Sequence, residues 1–162
     1  MKYLLLFTTL MLINAVNAVS SDDPLSGDRP FVMLPDVQAQ ADAWTSCAAI
    51  YEVAARNKPA QESAHRLSLA SRAAAIAAAM TLFLNSPDKD VAPNDVWADA
   101  KADADSSTRD KLGTLLASDS PDHSEGSDLA ARQAVCDANT ESRQGYVELW
   151  KELFANGVLA LP

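Results

Sequence analysis

The stretch DVQAQADAWTSCAAIYEVAARN, residues 36–57, repeats Val37, Ala41, Trp44, Ala48, Tyr51 and Ala55 at three- and four-residue spacings. Such a period lays these side chains along one face of an α-helix, because positions i, i+3, i+4 and i+7 are neighbours on its surface. Asp36 stands where a short carboxylate can cap the first turn, and Lys58-Pro59 ends the helix. The same chemistry recurs downstream. Long segments rich in Ala, Leu, Glu, Gln, Arg and Lys, with almost no β-branched runs, are separated by clusters of Pro, Asn and Ser. The class expected is all-α.

A second helix is predicted from about Pro59 to Asn85, with Leu69, Ala73, Ile76, Met80 and Phe83 on one face and Asn85-Ser86-Pro87 closing it. Its run Ala73 to Met80 is bounded by Arg66 and Arg72 and reads as a close-packing helix of small residues, not as a membrane span. A third runs from Asn94 or Asp95 to about Ala117, with Val96, Ala100, Ala104, Thr108, Leu112 and Leu115 along one side. Its polar middle, residues 101–110, is expected to break or fray. After a loop at 118–127 a fourth helix runs from Ser127 or Asp128 to Asn156, with Gly157 as its C-terminal cap and the apolar tail Val158 to Leu161 folding back.

Short connections favour antiparallel neighbours, so the expected architecture is a four-helix up-down-up-down bundle over residues 36–162, preceded by an irregular arm at 19–35. Cys47 and Cys136 are the only cysteines. Bonded to each other, they join the first and last helices and close a loop of about 90 residues, which restricts the unfolded chain by roughly 4–5 kcal/mol on chain-entropy grounds. The bond also sets a register: Trp44 level with Asn139, Tyr51 with Arg132, Gln40 with Arg143, and Met33 of the arm over Trp150.

Disulfides persist in oxidising compartments, and the N-terminus supplies an address. Lys2, the apolar run Tyr3 to Ile13 and the small-x-small ending Val16-Asn17-Ala18 have the form of a cleavable secretory signal over residues 1–18. A short n-region with one lysine favours the periplasm over full secretion. No cysteine stands directly after Ala18 to carry a lipid anchor. Loss of Lys2 with the leader takes the net charge from −9 to −10. That sign repels the phosphates of nucleic acid and the headgroups of anionic membranes, and admits a basic partner.

Residues that could carry chemistry are few. Thioredoxin-type Cys-x-x-Cys and haem-attaching Cys-x-x-Cys-His are absent, as are Gly-x-Ser-x-Gly and phosphate-loop patterns. His65 and His123 lie in different segments, so no metal site and no cofactor is expected; a haem held by His65 and a methionine such as Met80 is a physically possible alternative. Asp99, Asp103 and Asp105 read as a solvated acidic face. The fourth helix is the most informative: a core line through Leu129, Gln133, Cys136, Thr140, Arg143, Val147, Trp150 and Phe154 is interrupted by polar residues at its centre. Asn139 and Arg143 are therefore candidate binding residues, with Arg143 otherwise reaching solvent or pairing with Gln40. Trp97, poorly supported by its neighbours, is the candidate exposed anchor.

The function these readings favour is protein–protein binding by an exported helical protein of inhibitor, immunity or adaptor type. Two alternatives are a carrier of a small apolar ligand or haem in the bundle core, and a hydrolase with a helical cleft.

Overall fold

The computed structural model describes Asp23, residues 25–26, 29–88, 90–117 and 125–159, and the side chains of residues 125–127 are left aside. The leader, much of the arm and His123 lie outside these residues. The fold is all-helical: a 3-10 turn at Phe31–Met33 is followed by α1 (Val37–Arg56), α2 (Gln61–Leu84), α3 (Pro93–Ala117), α4 (Glu125–Ala138) and α5 (Thr140–Ala155). There is no strand among the described residues.

α1 begins where the sequence places it, with the Asp36 carboxylate accepting the Ala39 N–H at 2.6 Å. Between Asp42 and Glu52 it carries no charge, and every residue from Ala43 to Tyr51 is buried. A helix apolar on all sides must be surrounded, and α2, α3, α4 and the 3-10 turn all pack on α1. α2 meets it through small residues: Ala74, Ala77 and Ala78 have no exposed surface. The approach is close enough for Ser71 Oγ to donate to the backbone carbonyl of Ala48 at 2.9 Å. The inward face of α2 is thus the alanine face, and Leu69, expected to point inward, is exposed.

α3 starts at Pro93, a residue suited to the first helical position because it has no N–H to satisfy. The middle of α3 is continuous, contrary to the expected break. Ala100 and Ala104 are buried there, Lys101 pairs with Asp105 at 2.6 Å, and Lys111 is anchored to α1.

The predicted fourth helix is two helices. The Asn139 N–H turns to the carbonyl of Cys136 at 3.2 Å, while the Asn139 side-chain amide takes the Val135 carbonyl at 3.0 Å. Thr140 Oγ1 likewise donates to the Asp137 carbonyl at 2.7 Å. Two successive side chains competing for backbone acceptors interrupt the ladder. The inward line shifts at the break: Arg143 is buried where the period places it, but Asn139 is buried as well, and Thr140, assigned inward by the unbroken period, is exposed. α5 packs chiefly on α2.

Cys47 and Cys136 are bonded, with their Cα atoms 5.6 Å apart. The side-chain pairs expected from that register for Tyr51 and Gln40 are not the ones formed. Tyr51 reaches Asp137 and Arg143 instead of Arg132, and Gln40 donates to the Leu34 carbonyl instead of meeting Arg143. The arm docks, but through Phe31, whose ring meets Trp44 edge-on at 4.8 Å and whose N–H donates to Asn139 Oδ1 at 2.9 Å. Met33, expected over Trp150, is 68% exposed. At the other end Gly157 takes φ 70, with Gly157 N–H to Phe154 O and Val158 N–H to Leu153 O, a Schellman cap that folds Leu159 into the core.

Candidate functional site

The polar residues expected at the centre of the last helical limb are brought together at the α4–α5 break. Both carboxamide ends of Asn139 are used, one for the arm and one for the helix end. This makes Asn139 the joint between Phe31, α4 and α5. Arg143 is 9% exposed. Its guanidinium lies over the Tyr51 ring, 5.0 Å from the centroid, a cation–π contact that replaces the expected solvent or Gln40. Nη2 meets Thr140 Oγ1 at 3.3 Å, and Nη1 is buried with no hydrogen-bond partner. The Tyr51 hydroxyl donates to Asp137 Oδ1 at 2.7 Å. Burial first, and that hydrogen bond second, push the Tyr51 phenol well above the ordinary tyrosine range. These groups are engaged with one another and knit α1 to both halves of the limb.

Trp97 is not an exposed anchor. It is 5% exposed and packs edge-on against Phe83 at 6.0 Å between α2 and α3. What remains accessible of it lines a groove of about 280 Å³ with Ala75, Ile76 and Ala79, edged by Arg72, Lys101 and Asp105.

The residues that sequence reasoning missed lie between α1 and α3. Lys111 Nζ lies within hydrogen-bonding distance of four oxygens: Thr45 Oγ1 at 2.9 Å, Asp42 Oδ1 at 3.2 Å, the Asp42 carbonyl at 3.3 Å and Ser107 Oγ at 3.3 Å. Ser107 in turn donates to Thr45 Oγ1 at 3.2 Å. An ammonium has three protons and no acceptor, so with oxygens around it Lys111 is a donor hub fastening α3 to α1, not a base for the Ser107 hydroxyl. The hub divides two open clefts. One, of about 460 Å³, is lined by Gln38, Thr45, Asp103, Ser106, Ser107 and Asp110 beside the Asp42–Lys111 pair. The other, of about 330 Å³, lies between Ile50, Thr114 and Leu115, where Arg132 meets Asp23 at 3.5 Å. The available signal was phase: Lys111 falls seven residues after buried Ala104, on the inward side of α3.

No protein family, no curated protein and no solved structure matches this chain. Among the described residues no group of three or more His, Cys, Asp and Glu side chains is placed to hold a metal ion. His65 and Met80 share α2 and are 15 positions apart, which on one helix is about 22 Å. They cannot ligate the same iron.

α2 is the one helix among the described residues long and apolar enough to cross a membrane. In this fold its alanine face is occupied by α1.

Proposed function

We propose that the protein is an exported helical binding module that docks a basic partner protein along the α1–α3 edge. The observation that carries this reading is a stripe of carboxylates. Asp95, Asp99, Asp103 and Asp110 are all exposed and have no ion-pair partner among the described residues. Their spacing keeps them on one shoulder of α3, and Asp103 and Asp110 border the 460 Å³ cleft with Gln38, Ser106 and Ser107. The remaining carboxylates nearby, Asp42 and Asp105, are already paired with lysines. A partner's Lys or Arg side chain entering the cleft would meet the carboxylates of Asp103 and Asp110 and the hydroxyl of Ser106, none of which is used in the Lys111 hub.

Export belongs to the same proposal. The signal-like residues 1–18 and the Cys47–Cys136 bond, which fits a non-reducing compartment, support it, and the periplasm is the favoured destination. So does an up-down arrangement of α1, α2, α3 and the α4–α5 limb, supported by the short connections at 57–60 and 85–92. Inhibitor, immunity factor and adaptor are the roles such a surface serves. The carrier alternative is disfavoured by filled space: Trp44, Tyr51, Phe31, Ile50 and Met80 are each at most 1% exposed in one packed cluster.

The test is affinity capture from periplasmic extract with the oxidised protein, alongside an Asp103→Lys/Asp110→Lys variant. A basic protein retained at low salt, released as ionic strength rises and lost with the double reversal is the expected result. Recovery of only a small molecule, or a protein held equally by the variant, overturns the reading.

A further inference from the structure

α3 has a second shoulder, facing α2, whose chemistry is the reverse of the first. The 280 Å³ groove there is floored by Ala75, Ile76, Ala79 and the Trp97 ring. Alanines give it depth because they end at Cβ, and Phe83 braces Trp97 from behind at 6.0 Å. Its rim carries two cations and one carboxylate. Arg72 is exposed with no carboxylate partner among the described residues, and Lys101 stands across from it, paired with Asp105. Leu69, one turn before Arg72 on α2, is 48% exposed and prolongs the apolar strip. In a chain of net charge −9, this is an apolar depression whose edge has a surplus of positive charge.

We infer that the α2–α3 groove docks a segment of a partner protein that presents one bulky apolar side chain next to a carboxylate. Charge complementarity selects the acid, since the rim attracts it while the carboxylate-rich shoulder of the same helix repels it. Size selects a side chain: the volume falls just below the roughly 300–1,000 Å³ of pockets that enclose drug-sized ligands. One apolar side chain set into an aromatic-floored depression, with a flanking ion pair at the rim, is how helix and turn segments anchor on helical surfaces. This surface lies beyond the acidic stripe and asks for a partner element of opposite charge, so each stands or falls alone.

A random peptide library displayed on phage and selected against the oxidised protein tests the inference. Enriched peptides are expected to share Leu, Ile, Phe or Trp within two positions of Asp or Glu. A synthetic representative should shift the Trp97 indole N–H resonance and leave that of Trp44 in place. Arg72→Glu should weaken it at least tenfold and Arg72→Lys should restore most of the binding. Ala75→Leu, which fills the groove without touching the charges, should weaken it equally. Asp99→Lys, on the other shoulder, should change it less than twofold. Circular dichroism of each variant confirms that the helices remain, and should Arg72→Glu unfold, the Ala75→Leu and Trp97 readouts decide. Enrichment of basic peptides alone, with no acidic–apolar class among them, overturns the inference while supporting the acidic-stripe reading. Binding indifferent to Arg72→Glu and Ala75→Leu, or displacement of the peptide by decanoate at the Trp97 resonance, also overturns it.

Discussion

α1 and α3 are long helices packed against each other, and they hold their places by different physics. α1 buries 13 of its 20 residues and needs only its caps and neighbours. α3 buries 3 of its 25, so a few localised contacts must fix it. Those contacts are the Trp97–Phe83 pair at one end and the Lys111 hub toward the other. The difference separates framework from surface. The helix with least to lose by solvation presents the unclaimed carboxylates and both clefted shoulders, while the helix that cannot be solvated carries the disulfide.

The contrast makes α1 the costliest place to cut. Trp44→Ala removes a ring packed against both Phe31 and Tyr146 and should destabilise the protein by about 3–5 kcal/mol. It should also release the arm, which urea unfolding and proteolysis before Pro35 would register together. A loss under about 1 kcal/mol would mean that α1 is not the framework. Next in size is the Cys47→Ala/Cys136→Ala pair, which frees a loop of 89 residues and should cost about 2–4 kcal/mol, below the full chain-entropy value because the unfolded chain keeps residual structure, with the unfolding midpoint becoming insensitive to reductant. Equal midpoints for the variant and the oxidised protein would show that packing alone sets the α1–α4 junction.

Which parts of this could be read from the sequence follows the range of the interactions. The uncharged run from Ala43 to Tyr51, the Asp36 cap and the Gly157 stop are local signals, and each marks what it should. The pair Cys47 and Cys136 was legible as a bond because no other partner exists for either. What escaped was long-range. The break at Asn139 is stabilised by the Phe31 N–H from 108 residues away, and without that donor Asn139-Thr140 is only a mildly unfavourable dipeptide inside a helix. Trp97 looks unsupported among Ala98 and Asp99 because its support, Phe83, comes from another helix. Lys111 sits beside a polar run that suggests fraying, and only Asp42 and Thr45, 69 and 66 residues earlier, turn it into an anchor. The site residues were found in composition and missed in contact.

The Lys111 hub supplies the next test, at a smaller scale. Its ion pair is partly solvated, the two side chains being 29% and 40% exposed, so Lys111→Met should cost about 1–2 kcal/mol, between an exposed pair and a buried one. The diagnostic is local. Amides from Ala100 to Lys111 should exchange faster with solvent while those from Ala43 to Tyr51 continue to exchange only on global unfolding. Uniform acceleration in both helices would erase the distinction between them.

The smallest expected effect concerns pH, and it returns to the buried face of α1. Burial and the Asp137 acceptor both favour the neutral Tyr51 phenol, so its folded-state pKa lies above that of the unfolded chain. Below the unfolded value, near pH 10, the phenol is protonated in both states and contributes no slope. Above it the unfolded chain gives up a proton that the folded protein keeps, the unfolded state binds fewer protons, and stability must fall with rising pH by up to about 1.4 kcal/mol per unit. Tyr51→Phe removes the titrating proton and one hydrogen bond but keeps a ring beneath Arg143. It should therefore be less stable by about 0.5–1.5 kcal/mol at neutral pH and lose the alkaline slope, so that the two stability curves converge by about pH 11. Parallel curves through the alkaline range would mean that the Tyr51 phenol ionises freely in the folded protein, and that the centre of α1 is wetter than its packing implies.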